Sequence, residues 1–275
     1  MIVDYHMHLR REESDDVEEV DHTVEAVERY FEAARAAGVG EIGISEHVYY
    51  FRETRAFWRV PLELEHCLLE LAPYVEAILE AKHRGLPVKL GLEVDDVPGR
   101  DEEVARVLEP FPWDYLLGSI HFIDGLGIDG RPRLIDEVGV EEAWRTYFDR
   151  LASAAETGLY DSLAHPDLVK MWGDRPSPEA EHEIFEAFVG RISRTGICVE
   201  VSSAGLQRQV KELYPARGLL AACRARGVPI TLASDAHSAG RVGTDLDRAV
   251  ALAQDVGYDT VTVFEQRRPM QVPLG

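Results

Sequence analysis

Ile2-Val3-Asp4-Tyr5-His6-Met7-His8 reads as a short β-strand that ends in two histidines. Side chains alternate faces along a strand, so His6 and His8 point the same way. The same grammar recurs along the chain. Candidate strands are Ile2–His6, Glu41–Glu46, Val88–Glu93, Tyr115–His121, Asp161–His165, Ile197–Ser202 and Pro229–Asp235, with an eighth candidate at Thr260–Glu265. Several are apolar nearly throughout, as strands covered on both faces are. Helical patterns lie between them. Thr23 is a candidate cap for a helix running to Gly38, and Pro61–Arg84 reads as one long amphipathic helix. Ser177-Pro178 has the form of an N-cap followed by proline at the first helical position. Val140–Gly158, Pro215–Arg226 and Leu246–Gly257 complete the pattern. Serial β-α units build a parallel sheet, either closed into a barrel or open and doubly wound. Periodicity alone does not choose between these. No Pro/Gly/Ser-rich linker divides the 275 residues, which predicts one α/β domain over 1–275.

The strand ends carry the chemistry. Ser45-Glu46-His47, Glu93-Val94-Asp95, Ser119-Ile120-His121, Ala164-His165-Pro166 and Asp235-Ala236-His237 each fall at or just past a strand C-terminus. Six of the ten histidines sit there. In an α/β barrel those ends share one rim. One strand-end histidine alone is more often a structural residue than a ligand. Six on one rim with carboxylates have the chemistry of a metal site, because imidazole and carboxylate hold zinc, iron and manganese. So many donors imply two or three ions. His66, His83 and His182 lie in helical patterns among Glu and Ala and read as solvated. Cys67, Cys198 and Cys223 read as buried free thiols in a reducing cytoplasm.

With those residues in hand, the chain resembles the PHP (polymerase and histidinol phosphatase) family of metal-dependent hydrolases, and within it the histidinol-phosphate phosphatases. The matching pieces are DYHMH, SEH, GLEVD, GSIHF, AHPDL, VEVSSAGL…YP and SDAH, from Asp4 to about Gly243. The resemblance implies a distorted seven-stranded TIM-like (β/α) barrel with a trinuclear metal centre. It implies a first ion on His6, His8, Glu93 and Asp235, and a second on Glu93, His121 and His165. A third falls on His22, His47 and His237, with Asp15 as the alternative to His22. It also implies phosphate contacts from Arg175 and Arg208. Glu46 stands where the family usually has Asp, and Ser202 where these phosphatases often have Asn.

The implied reaction is hydrolysis of L-histidinol phosphate by a hydroxide bridging two ions, held by His6, His8, Glu93 and Asp235. The group that protonates the leaving alkoxide is left open. The alternatives are another small phosphate or nucleotide as substrate, a nuclease, or a non-catalytic metal-binding module. The charge weighs on these. Against 29 Lys+Arg stand 50 Asp+Glu, a net of −21. Nucleic acid and anionic membranes need a basic footprint that is missing. Three divalent ions would supply +6 against −2 from Glu93 and Asp235, about +4 where a small phosphate would bind. The chain turns polar after five residues and has no apolar run of membrane-spanning length, so the expected location is the cytoplasm. No heptad seam marks an oligomer.

Overall fold

The segments that become strands are short and rich in Val, Ile and Leu, so each is stable only when covered on both faces. The computed structural model describes residues 1–13 and 16–275, with the side chains of all of these except Leu62. Its strands are β1 (Val3–Asp4), β2 (Glu41–Ile44), β3 (Val88–Leu90), β4 (Glu93–Asp95), β5 (Leu117–Ser119), β6 (Phe122–Ile123), β7 (Leu126–Gly127), β8 (Ser162–Leu163), β9 (Cys198–Ser202), β10 (Ile230–Ala233), β11 (Thr260–Glu265) and β12 (Arg268–Pro273). Strands β1-β2-β3 form one parallel sheet, and β10-β9-β8-β5-β4 form another. Every residue of β9 and β10 is buried.

Hydrogen bonds cross both gaps between the two sheets. On one side Tyr5 N donates to Leu232 O (3.0 Å) and His8 N to Ala236 O (2.9 Å). On the other, Glu93 N donates to Glu46 O at 2.9 Å. The paired residues at these seams, Met7 with Ala236 and His47 with Glu93, lie in the histidine-bearing strand ends.

Two helices begin with the caps that the sequence predicts. The Thr23 hydroxyl accepts from Ala26 N (3.2 Å) to start Val24–Ala36. The Ser177 hydroxyl accepts from Ala180 N (3.2 Å), and Pro178 opens Pro178–Ile192. These caps satisfy amide groups that a first helical turn leaves unpaired. Strands are shorter than expected, and Val88–Glu93 is broken at Gly91-Leu92 into β3 and β4. Two further helices, Asp101–Leu108 and Leu134–Val138, were not anticipated.

One expectation fails for a tertiary reason, and one expected strand pairs apart from the parallel sheets. Pro61–Arg84 is two helices, Pro61–His66 and Leu71–His83. Residues 67–70 leave the helical path because Leu69 N donates to Tyr50 O and Arg52 N to Leu69 O, both at 2.8 Å. Pro73 then falls in the first turn of the second helix, where its missing N–H costs nothing. The eighth candidate strand, Thr260–Glu265, has the expected bounds but forms an antiparallel ribbon with β12. Its Phe264 packs on Tyr5 and Tyr115 (ring centroids 5.9 and 5.7 Å).

Tyr115 explains the break after β3. Its hydroxyl donates to Tyr5 O at 2.7 Å. Its ring fills the space a side chain would take at Gly43 and Gly91: a Cβ on Gly91 would stand 2.2 Å from Tyr115 Cζ. Tyr115 is fully buried and cannot swing away. Gly91→Ala is therefore expected to destabilise the fold by about 1–3 kcal/mol or more, read as a lower urea midpoint with unchanged slope.

Candidate metal centre

Glu93 opens β4 at the seam, fully buried, and five imidazoles stand within 4 Å of it, with His8 Nε2 the farthest at 3.8 Å from Oε2. His47 Nδ1 lies 2.7 Å from its Oε2, and His6 Nε2 3.4 Å from the same oxygen. His165 Nε2 and His121 Nε2 stand 3.1 and 3.5 Å from its Oε1. Asp235 enters from the far seam, with Oδ1 3.6 Å from His6 Nε2 and 3.4 Å from His8 Nε2. The rings of His47 and His237 lie 4.1 and 4.3 Å from that of His8. Asp235 and His165 both hold positive φ, 54° and 28°, a backbone state that costs free energy outside glycine.

These spacings fit shared cations. Two ligand atoms each about 2.1 Å from one ion lie roughly 3–3.5 Å apart. His6 Nε2, His8 Nε2, His47 Nδ1 and Glu93 Oε2 are buried without a hydrogen-bond partner among the described residues, although oppositely charged groups stand close. Four donor sets gather within reach of one ion each: His6/His8/Glu93, His6/His165/Asp235, His47/Glu93/His121 and His8/His47/His237. Burial alone would raise the Glu93 carboxyl, but His6, His47 and His121 hold it well below the ordinary range. Burial likewise opposes the Asp235 carboxylate, and His6 and His8 overcome it. Burial and the neighbouring His8 push the His47 imidazole well below its ordinary range, which favours the neutral form that cations bind.

The chain matches the PHP domain model over residues 6–204. It belongs to the PHP domain family. Within that family it is 34% identical over 251 residues to a protein of Deinococcus radiodurans named probable histidinol-phosphatase, covering 90% of this chain and 93% of that one. The histidinol-phosphatase of Lactococcus lactis is 25% identical over 273 residues, with 95% and 94% covered. Among solved structures, the histidinol phosphate phosphatase of Lactococcus lactis, crystallised with zinc, L-histidinol and phosphate, superposes with a TM-score of 0.77 at 20% identity over 98% of both chains. That likeness makes the α/β fold a shared one.

Placed in this PHP fold, eight of the nine residues named from the sequence as ligands converge: His6, His8, His47, Glu93, His121, His165, Asp235 and His237. His22 does not join them. Its Nε2 faces Glu46 Oε1 at 3.7 Å, and its ring rests against Tyr74 (4.9 Å) and Phe51 (5.7 Å). His8 takes its place beside His47 and His237. Asp15, the other third-site ligand considered, lies outside the described residues. The two arginines also part company. Arg208 lines the rim cavity with Asp235 and His237 and has no carboxylate partner among the described residues. Arg175 is not among the residues lining it: Glu181 (2.8 Å) and Glu212 hold its guanidinium near the Trp144 ring.

Sequence reasoning missed the groups that aim the ligands. Glu200, in the middle of β9, sits 3.1 Å from His6 Nδ1 through both oxygens and accepts from His165 N at 3.0 Å. Asp95 stands 2.7 Å from His121 Nδ1. Each can accept a hydrogen bond from Nδ1–H and so turn Nε2 toward the centre, as outer carboxylates do in metal sites. Glu46 is tied down by Arg10 Nη1 (2.8 Å) and by Leu9 N (2.7 Å), with burial opposed by the Arg10 charge so that it stays ionised. Ser202 holds the local turn, its hydroxyl accepting from Ala204 N at 3.3 Å. Glu200→Gln is expected to weaken metal retention about 10–100-fold while the protein still folds, measured by competition with a chelator.

His66 is the clearest reversal. It was expected on a solvated helix face, yet it lines the rim cavity with His47, Glu93 and His121. The helix break at residues 67–70 puts it there. The three cysteines are buried and free, as the sequence suggests. Among the described residues no helix is long and apolar enough to cross a membrane.

Proposed function

We propose that this chain is a metal-dependent phosphomonoesterase that hydrolyses L-histidinol phosphate to L-histidinol and phosphate, as a single distorted (β/α) barrel of seven strands spanning 1–275. The observation that carries the reading is the buried set of imidazoles around Glu93 and Asp235, opening into one cavity beside Arg208, which has no carboxylate partner among the described residues. Two or three divalent ions (zinc, iron or manganese) held there would acidify water and neutralise phosphate oxygens.

The residues of the chain do the rest. His6, His8, His47, Glu93, His121, His165, Asp235 and His237 hold the ions, and Glu200 and Asp95 fix the rings of His6 and His121. Arg208 offers a planar fork to two phosphate oxygens. Asp129 lines the same cavity near His121 and His165. It has no ion-pair partner among the described residues, and burial raises its carboxyl. It suits the cationic amine of the substrate. The acidic surface disfavours long nucleic acids as partners, and the cytoplasm is the compartment that suits three unpaired thiols.

The test is phosphate release by metal-reconstituted protein from L-histidinol phosphate, nucleoside monophosphates and single-stranded DNA, compared by kcat/KM. The reading expects histidinol phosphate to lead by at least about tenfold. Equal or better turnover of nucleotides moves the assignment to a general phosphoesterase. Phosphate release unchanged in His121→Ala rules out catalysis at this centre.

A further inference from the structure

His66 has a place in the cavity and no task in the reaction described above. It ends the helix Pro61–His66, and its Nδ1 is buried without a hydrogen-bond partner among the described residues. It belongs to none of the four donor sets around Glu93 and Asp235. Its ring meets Tyr50 edge-on at 5.8 Å and lies 6.4 Å from Tyr49, and both tyrosines line the same cavity. Tyr49 in turn stacks on His47 at 4.8 Å, so this aromatic wall begins at the metal centre and ends at His66.

A buried nitrogen with no partner costs about 1–3 kcal/mol. Such atoms are uncommon in native proteins and call for an occupant. The cavity opens onto the metal centre, so the occupant is the part of the substrate that extends away from the phosphate. Asp129 already suits an ammonium group. The polar group left over is a flat ring with one donor and one acceptor nitrogen. That ring pairs with a histidine nitrogen in either tautomer and packs on tyrosine faces.

We propose that His66 is a specificity-determining residue whose Nδ1 hydrogen-bonds the imidazole ring of the leaving alcohol, with Tyr49 and Tyr50 forming the wall beside it. This rests on the histidinol phosphate reading.

The test crosses two variants with two substrates. His66→Phe keeps an aromatic ring beside Tyr50 and removes the nitrogen. His66→Asn places a polar amide atom near the position of Nδ1. L-Histidinol phosphate carries the ring, and ethanolamine phosphate carries an amine and the ester without it. For His66→Phe, kcat/KM on histidinol phosphate is expected to fall about tenfold, chiefly through KM, while ethanolamine phosphate changes less than about twofold. His66→Asn is expected to recover most of that loss. Bound metal per chain is expected to stay the same in both variants. An equal loss on both substrates, no loss on either, or loss of metal overturns the proposal. Wild-type protein that does not prefer histidinol phosphate to ethanolamine phosphate overturns instead the functional reading on which it rests.

Discussion

Replacing Glu93 by Gln is expected to lower kcat for histidinol phosphate by at least about 10³-fold and to release metal, because one carboxylate serves several imidazole-bearing sites at once. The amide is nearly isosteric, so packing is preserved, but its neutral head supplies one weak oxygen where two charged ones stood. His47 and His6 approach one oxygen of Glu93, and His165 and His121 the other. Losing the charge thus weakens two neighbouring sites together. The measurement is steady-state phosphate release after reconstitution, paired with elemental analysis of the dialysed protein. A variant that keeps its full metal content and more than about a tenth of wild-type kcat contradicts the central role given to this residue.

The second large effect separates the two arginines. Arg208→Ala is expected to reduce kcat/KM by about 10²–10³-fold, the usual loss when a preorganised donor to a charged reacting group is removed. Arg175→Ala is expected to stay within about tenfold of wild type. The physical difference lies in their partners. The Arg175 guanidinium is already engaged by Glu181 and Glu212, so releasing it to a phosphate means breaking both pairs. Arg208 has no such competitor among the described residues and borders the cavity beside Asp235 and His237. A matched loss in the two variants would show that the Arg175 network opens during turnover.

The residues that converge at the rim were legible because two rules act locally. Side-chain alternation fixes which strand residues share a face, and parallel βα order sends all strand ends to one rim. His6, His8, His121, His165, Asp235 and His237 follow from these without knowledge of long-range contacts. What stayed hidden depends on pairing across the chain. Glu200 reads as one polar residue in an apolar strand, and only the approach of His6, 194 residues away, gives it a purpose. His66 looks solvated until Leu69 is seen to pair with Tyr50 and interrupt the helix. His22 is named through the family resemblance alone, and its ring rests against Tyr74 with Nε2 facing Glu46. Arg175 is named as a phosphate contact through the resemblance, and its pairing with Glu212, 37 residues further on, is a long-range contact that local pattern does not show.

The seams between the two sheets give the site a second consequence. His6 and His47 come from the three-stranded side, while Glu93, His121, His165 and Asp235 come from the five-stranded side. Any ion held between them is a stitch joining both halves of the sheet, and it exists only in the folded chain. Folding and metal loading then form one linked equilibrium. Each site filled at a hundred times its dissociation constant adds about 2.7 kcal/mol to stability. A chain starved of metal loses that linkage, and its stability is expected to fall with it.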